Sequence, residues 1–475
     1  MLRFYNTYSN KLENFKPIKK GEVRMYTCGP TVYMHIHLGN ARTFLLEDLL
    51  RRYLEYLNFK VKQVMNITDV GHLSEDDIEA GEDKIQKMAK KKKVTPKEIA
   101  DFYEKDFYEQ IKKLNIEKAY KYPRATDHIK EMQSMIKKLI KKKHAYEVNG
   151  SVYFDISSFK NYGKLSGNTV KYLAEGKSGR TLKNKDKKNF YDFSLWIKDD
   201  EHLMNWSSPW CKKGYPNWHL ECSVMSIKYL GEHFDIHMGG EDNIFPHHEA
   251  EIAQAEGATG KKWVNYWMHT RHLMVEGAKM SKRDGNFYTP EDIYNRGFTP
   301  RQLRFFLISS HYRKKLNFTF DAFESSNKSL QKISTFIDDL QNANGKGSKV
   351  ETLIKKAKNG FEKAMDDDLN ISGALASIFG LVTEVNKKKN LISKAEAKKV
   401  LNLLKKFDKV LGVIFLKERN DFPADVKKLI KQRDEARKNK DWTTSDKIRD
   451  DLLARGIELH DTDGKTKVVV KFKVK

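Results

Sequence analysis

EVRMYTCGPTVYMHIHLGNARTFLLEDLLRRYLEYLNFKVKQVMNI, residues 22–67, is the stretch that decides the fold. Glu22 to Tyr26 reads as a short strand running into the turn-forming cluster Thr27-Cys28-Gly29-Pro30-Thr31. From Arg42 to Leu57 the apolar residues Leu46, Leu50, Tyr53 and Leu57 recur at spacings of a helix. Phe59 to Ile67, with Val61, Val64 and Ile67, is the next strand. A β-α-β opening implies a parallel sheet and an α/β class. Strand, glycine-containing loop and helix also make a phosphate site, because free N–H groups at a helix start favour an anion. Neither G-x-G-x-x-G nor G-x-x-x-x-G-K-[ST] occurs, which excludes the ordinary dinucleotide and P-loop fingerprints.

The densest set of metal-ligand types lies further on, in Pro216 to Glu251: Cys222, His233, His237, His247, His248, Glu249 and Glu251. Pro246 suits the first turn of a helix. Such a helix puts His247 and Glu251 on one face, four residues apart, whereas His248 has Ile252 four residues on and gains no such partner. A thiolate, an imidazole and a carboxylate suit zinc, with one ligand still needed. Cys28, the only cysteine in the first 200 residues, could supply it. Phe234 to His237 reads as a strand ending at Met238-Gly239-Gly240, and ligands gather at such carboxyl ends. There the two glycines would let adenine or ribose approach, and Asp242 could bond a ribose hydroxyl.

The 475 residues carry 89 Lys and Arg against 64 Asp and Glu, a net charge of +25, which favours a polyanionic partner. The lysine runs Lys90 to Lys93, Lys141 to Lys143 and Lys387 to Lys389 are scattered and read as solvated faces. Three cysteines do not make a disulfide framework, and a reducing cytosol fits. No apolar run is long enough to span a membrane, and the first 15 residues lack the apolar core of a secretory signal.

Four motifs in order carry a resemblance. Tyr26 to Arg42 resembles the opening of a cysteinyl-tRNA synthetase, a class I aminoacyl-tRNA synthetase, with His37-Leu38-Gly39-Asn40 as its HIGH-type motif. Lys279-Met280-Ser281-Lys282-Arg283 resembles the KMSKS loop, and WHLECS and FPHHEAE resemble the zinc segments. RDEARKNKDW and GIELHD extend the resemblance to the C-terminus. The family often has Asp where Met34 stands and Ser where Arg283 stands.

The resemblance implies a Rossmann-like parallel sheet with an inserted domain, then a helical bundle and a small mixed C-terminal domain. The units expected are a catalytic domain split over 1–118 and 215–275 and an inserted domain over 119–214. A KMSKS and stem-contact region over 276–322, a bundle over 323–415 and an anticodon-binding domain over 416–475 follow. Leu330, Ile333, Phe336, Ile337 and Leu340 form one bundle stripe; Leu375, Ile378, Phe379, Leu381 and Val382 form another. Ser74 to Asp106 reads as a charged, helical surface excursion, Asn149-Gly150 as a hairpin turn, Gly176 to Lys188 as a mobile loop, Asp421 to Pro423 as a junction, and Thr466 to Val474 as a final strand.

The activity implied is cysteine–tRNA ligation. Cysteine plus ATP, with Mg2+, gives cysteinyl-adenylate, and the cysteinyl group passes to the 3′ end of tRNA(Cys). His37, Asn40, Lys279 and Lys282 would act on the phosphates, with Gly39, Gly239, Gly240 and Asp242 around ATP. Zinc would sit on Cys28, Cys222, His247 and Glu251 and take the substrate sulfur; Gly29, Thr31, Trp218 and His237 would line the cysteine pocket. Arg437, Trp442, Asp446 and Asp461 would meet the anticodon. Cys211 has no ligand role. The protein is expected to be a cytoplasmic monomer. Two other readings are a cysteine ligase acting on a small amine and a non-catalytic tRNA-binding paralogue.

Overall fold

The computed structural model describes residues 1–75, 80–175, 185–280, 285–416, 424–454, 457–462 and 465–470. Its centre is a four-stranded sheet: β1 (Glu22–Thr27), β2 (Lys60–Met65), β3 (Phe234–Gly240) and β4 (Val264–Thr270). The order is β4-β3-β1-β2 and every pairing is parallel. The strands are almost continuously buried, as a parallel sheet covered on both faces requires. Side chains alternate between the two faces. Met25, Ile236 and Met238 join the core under helix α1 (Leu38–Tyr56), whereas Tyr26 and Trp267 join the opposite core with Cys222 and Ile252.

The chain goes out from β1 to β2 on one side and to β3 on the other. The crevice at the carboxyl ends of β1 and β3 is therefore the switch point where an open α/β sheet takes its ligand. Helix α1 starts at this crevice. His37 caps it: the Asn40 N–H donates to His37 Nδ1 at 3.2 Å, and the His37 N–H donates to Asn40 Oδ1 at 3.2 Å.

Residues after β2 depart from expectation. Helices α2 (Lys84–Lys92) and α3 (Pro96–Lys113) are charged, yet they are not a solvated excursion. Ile85, Ala89, Ile99, Tyr103, Phe107 and Ile111 lie in the main core. The lysines fall on the outer face, and the apolar residues between them keep helical spacing. Asp83 caps α2, accepting from the Ile85 and Gln86 N–H groups, and Thr95 with Glu98 forms a capping box on α3. The insertion carries an antiparallel four-stranded sheet. Its hairpin joins Ala145–Val148 to Ser151–Phe154 through Asn149 and Gly150, both at positive φ as a type I′ turn needs. Of the expected loop at Gly176 to Lys188, residues 176–184 lie outside the described residues.

Helix α4 (His219–Leu230) and helix α5 (Glu249–Thr259) flank the sheet on the Cys222 side. On the other side α1 packs against a helical bundle. Both expected stripes are buried there except Phe379, which is only partly covered. The helix Pro300–Ile308, just ahead of the bundle, is tied to α1 by charge: Asp48 Oδ2 accepts from Arg304 at 2.6 Å, and also from Arg52 of α1 at 2.7 Å, all three buried. The last unit holds two helices, Ala424–Lys438 and Trp442–Ala454, and a hairpin, Ile457–Thr462 with Lys465–Val470. Val426, Ile448, Leu452 and Leu459 give it a core of its own. The junction at 421–423 and residues 471–474 of the expected final strand lie outside the described residues.

Candidate active site and metal centre

A cleft of about 900 Å³ opens at the switch point. Its wall includes Cys28, Thr31, His37, Asn40, Trp218 and Lys279. At its floor the ligand atoms of Cys28, His247, His248 and Glu251, all buried, lie within 4.8 Å of one another. Cys222 is buried beside them, its Sγ 3.6 Å from His247 Nε2. Phe245 is extended, and from Pro246 the backbone turns helical into α5, which brings His247 Nε2 to 2.7 Å from Glu251 Oε1 four residues on, as expected. His248 has no partner along the helix, but across the fold its Nε2 lies 3.1 Å from Cys28 Sγ. His233 and Glu249 stand apart, bonded to Asn265 at 2.9 Å and to the Ser166 N–H at 2.8 Å.

Electrostatics separate the members of this cluster. Burial would push the Cys28 thiol up, but Cys222 and His247 beside it bring it down to about 6. Cys222 is held well above the ordinary thiol value by burial and by its neighbours Cys28 and Glu251. Burial would raise Glu251, yet His247 and His237 pull it down to about 2. His247, which burial would lower, is carried up to about 10 by Glu251. His248 is kept neutral by burial and by the histidines around it. Its Nδ1 meets His269 Nε2 at 2.8 Å, and His269 Nδ1 meets Thr7 Oγ1 at 2.8 Å. Beside a Cys28 thiolate, neutral His248 carries its proton on Nε2 and donates it to the sulfur, with its Nδ1 accepting from His269.

The donor set fits a thiophilic metal. Glu251 Oε1 is buried without a hydrogen-bond partner, although His247 Nε2 is only 2.7 Å away, so the two atoms approach without N–H···O alignment. The other Glu251 oxygen accepts from His237 Nε2 at 2.8 Å, and His247 Nδ1 is backed by His219 Nδ1 at 2.9 Å. Outer partners of this kind orient metal ligands.

Gly29 is forced, since a Cβ there would lie 1.8 Å from the Asn66 carbonyl oxygen. Thr31 Oγ1 meets His72 Nδ1 at 2.6 Å. The His72 ring stacks on Trp218 at 4.3 Å, and Trp218 stacks on His247 at 3.7 Å, so one ladder joins the cleft wall to the metal cluster. His237 lies behind Glu251, stacked on Trp267, rather than on the cleft wall. Gly39 sits under the His37 ring, 2.9 Å from where its Cβ would be. The space beside Gly239 is filled by Asn243 and His248, whereas Gly240 faces open cleft.

Asp242 accepts from Lys279 at 3.1 Å and pairs with His272 at 3.2 Å. Burial raises its carboxyl, but those two partners leave it below the usual range. Met34 lines the cleft; Lys282 and Arg283 lie outside the described residues. Cys211 takes the Trp196 Nε1–H at 3.3 Å, away from the cluster. In the last unit the Arg437 guanidinium lies 5.7 Å over the Trp442 ring, which is 55% exposed. Asp446 pairs with Arg449 at 3.1 Å, and Asp461 falls in the last hairpin. Sequence reasoning missed His72, Lys84 and His269. His72 and Lys84 line the cleft 2.5 Å apart, and no spacing rule links them to Thr31.

A parallel sheet with a histidine-capped helix at its switch point, a lysine on the cleft wall and a helical bundle define a class I aminoacyl-tRNA synthetase. Residues 14–328 match the family described as the class I (C) tRNA synthetase catalytic domain. Residues 360–416 match the DALR domain, and residues 419–468 the cysteinyl-tRNA ligase anticodon binding domain. The chain belongs to the cysteinyl-tRNA synthetase family. It is 44% identical to the cysteine–tRNA ligase of Protochlamydia amoebophila, over 98% of this chain and 97% of that one. It is 43% identical to that of Brachyspira hyodysenteriae, over 97% of each. Methionyl-tRNA synthetase of Mycobacterium tuberculosis, in complex with methionyl-adenylate, shares the fold with a TM-score of 0.58 at 15% identity, covering 83% of this chain and 90% of that one.

Proposed function

We propose that the chain charges tRNA(Cys) with cysteine in two steps, through cysteinyl-adenylate, with zinc reading the substrate thiol and Mg2+ accompanying ATP. The observation that carries this reading is the buried cluster of Cys28, His247, His248 and Glu251 at the floor of a cleft whose rim bears His37, Asn40 and Lys279. Class I synthetase membership supplies the ATP-dependent ligase chemistry.

Activation needs in-line attack of the substrate carboxylate on the α-phosphate, and that carboxylate is already ionised. Catalysis is then positioning and charge stabilisation. His37 Nδ1 accepts the Asn40 N–H, so the neutral ring carries its proton on Nε2, the donor for a phosphate oxygen. Asn40 uses Oδ1 in the cap, which leaves its amide N–H groups for donation. Lys279 rests on Asp242 and exchanges that carboxylate for phosphate when ATP enters, which releases Asp242 toward the ribose.

Selectivity is the harder task, because an apolar pocket separates near-isosteres such as cysteine and serine poorly. Zinc binds thiolate strongly and hydroxyl weakly. Cys28, Cys222, His247 and Glu251 would hold it. His248 donates to the Cys28 thiolate, and His237 steadies Glu251. Trp218 and Thr31 form the wall against which the substrate side chain lies. The acceptor is tRNA, to which the anticodon-binding unit with Arg437, Trp442, Asp446 and Asp461 belongs. The same reading has the enzyme act as a cytoplasmic monomer, which light scattering of the purified protein tests for oligomeric state.

Cysteine-dependent ATP–pyrophosphate exchange tests the core of this. Exchange with cysteine and not serine, abolished by zinc removal and restored by zinc, is the expected result. No exchange from folded, zinc-replete protein would sink it. Charging of tRNA(Cys) by the same preparation separates this reading from a ligase acting on a small amine.

A further inference from the structure

One exposed feature remains unused by the chemistry above. Helix α2 begins at the cleft, where Lys84 lines the wall, and ends about 12 Å away in the exposed run Lys90 to Lys93. Beside that end stands an aromatic group on α3. Phe102 is 55% exposed, packed edge-on to Tyr103 with ring centres 5.0 Å apart. His35, itself part of the cleft wall, lies 6.1 Å from Phe102 and 5.1 Å from Tyr103. Lys92 Nζ sits 5.2 Å over the Phe102 ring and 5.0 Å over Tyr103, and donates to the Tyr103 hydroxyl at 3.0 Å.

Among the described residues, the acidic groups around the patch are engaged. Glu82 pairs with Lys90 at 2.6 Å, Asp106 with His35 at 2.9 Å, and Asp101 with Lys97 and Arg124. Lys91 and Lys93 add charge at the same end. A face left aromatic and cationic, continuous with the cleft, matches what single-stranded nucleic acid needs: a base to stack and phosphates to neutralise.

We propose that Phe102, with His35, Tyr103 and Lys91 to Lys93, is the platform on which the unpaired 3′ end of the tRNA lies before its terminal ribose enters the cleft. The assignment rests on the tRNA-charging activity proposed above. A ribose that must reach the adenylate beside His37 brings its preceding nucleotides across the cleft rim, and His35 marks the rim on the α3 side. The stacking is sequence-tolerant, because every base offers a π face.

The test compares the zinc-replete full chain with Phe102→Ala, Phe102→Trp and the triple change Lys91→Gln, Lys92→Gln, Lys93→Gln. Cysteine-dependent pyrophosphate exchange is measured first and stays within about twofold of the unaltered protein, because none of these residues meets ATP or cysteine. KM for tRNA in Phe102→Ala rises about tenfold, as loss of one stacked base predicts, and Phe102→Trp restores it. The triple change lowers the slope of log affinity against log salt by about 2. Unaltered protein binds intact tRNA more tightly than tRNA lacking its unpaired 3′ nucleotides, and Phe102→Ala loses that difference. Unchanged tRNA KM, salt slope and end preference would overturn the platform, as would exchange lost in Phe102→Ala alone. Absence of exchange in the unaltered protein would instead remove the activity on which it rests.

Discussion

Single residues decide the metal centre, and two compete for one role. Cys222 and His248 both stand beside His247 and Cys28, yet His248 is committed at both ring nitrogens, to Cys28 and to His269. Cys222→Ser should therefore lose zinc and cysteine-dependent exchange together. His248→Gln should keep zinc near one per chain while weakening cysteine binding through a less well held Cys28, a loss of about tenfold to a hundredfold. Metal analysis on the two purified variants checks this, and the reverse pattern would make His248 the ligand. The sequence announced His247 with Glu251, because four residues on a helix make one contact. It gave His248 no partner along the helix, since the target of this ring, Cys28, lies 220 residues earlier in the chain. His72 and His269 were illegible for the same reason: each acts through a contact that only the folded sheet creates.

At the scale of elements, α1 carries the argument. Its existence between two parallel strands was legible, because strand, turn and helix periods change within 46 residues; its start at Leu38, four residues ahead of the expected Arg42, and its His37 cap were not. What it packs on was not. Asp48 looks like any helix-surface acid, but it is buried against Arg304 and Arg52 and also accepts the Glu117 N–H at 2.9 Å. Burial pushes its carboxyl up, and the two guanidiniums more than offset that, so its folded value is depressed. A depressed acid contributes stability that is fully present above the unfolded value near ~3.9 and is lost as pH falls through the folded value. Asp48→Asn should flatten the acid limb of stability below about pH 4, as seen in denaturant melts across pH. Asp48→Ala should cost about 3–5 kcal/mol, because it leaves Arg304 buried without a counter-charge. The charged helices α2 and α3 taught a related lesson: lysine-rich composition hid an apolar face that periodicity alone would have revealed.

For the whole molecule, the order of domains was legible from motif order, while Lys282, the junction at 421–423 and residues 471–474 lie outside the described residues. The C-terminal unit has its own core, so a chain ending at residue 416 should fold. That truncation should retain cysteine-dependent exchange within about twofold and lose tRNA charging by about a hundredfold, since one of two linked contacts with tRNA is gone. The net charge of +25 sets a further expectation. Charging should fall steeply between low and moderate salt while exchange changes little, because only charging displaces counterions from a polyanion. Parallel assays over a salt series check it.

The parallel pairing of β1 with β3 also has a consequence for how the chain is made. Thr27 pairs with Met238, about 210 residues later. At ~5–20 residues per second, that partner leaves the ribosome roughly ten to forty seconds after β1 does. Through that interval the nascent chain holds a central strand with an open edge and a cysteine without its future neighbours. Both are liabilities, one for misassociation and one for oxidation. Productive folding of this enzyme is therefore a race between elongation and mispairing, and slowed translation between residues 67 and 234 should lower the yield of active protein.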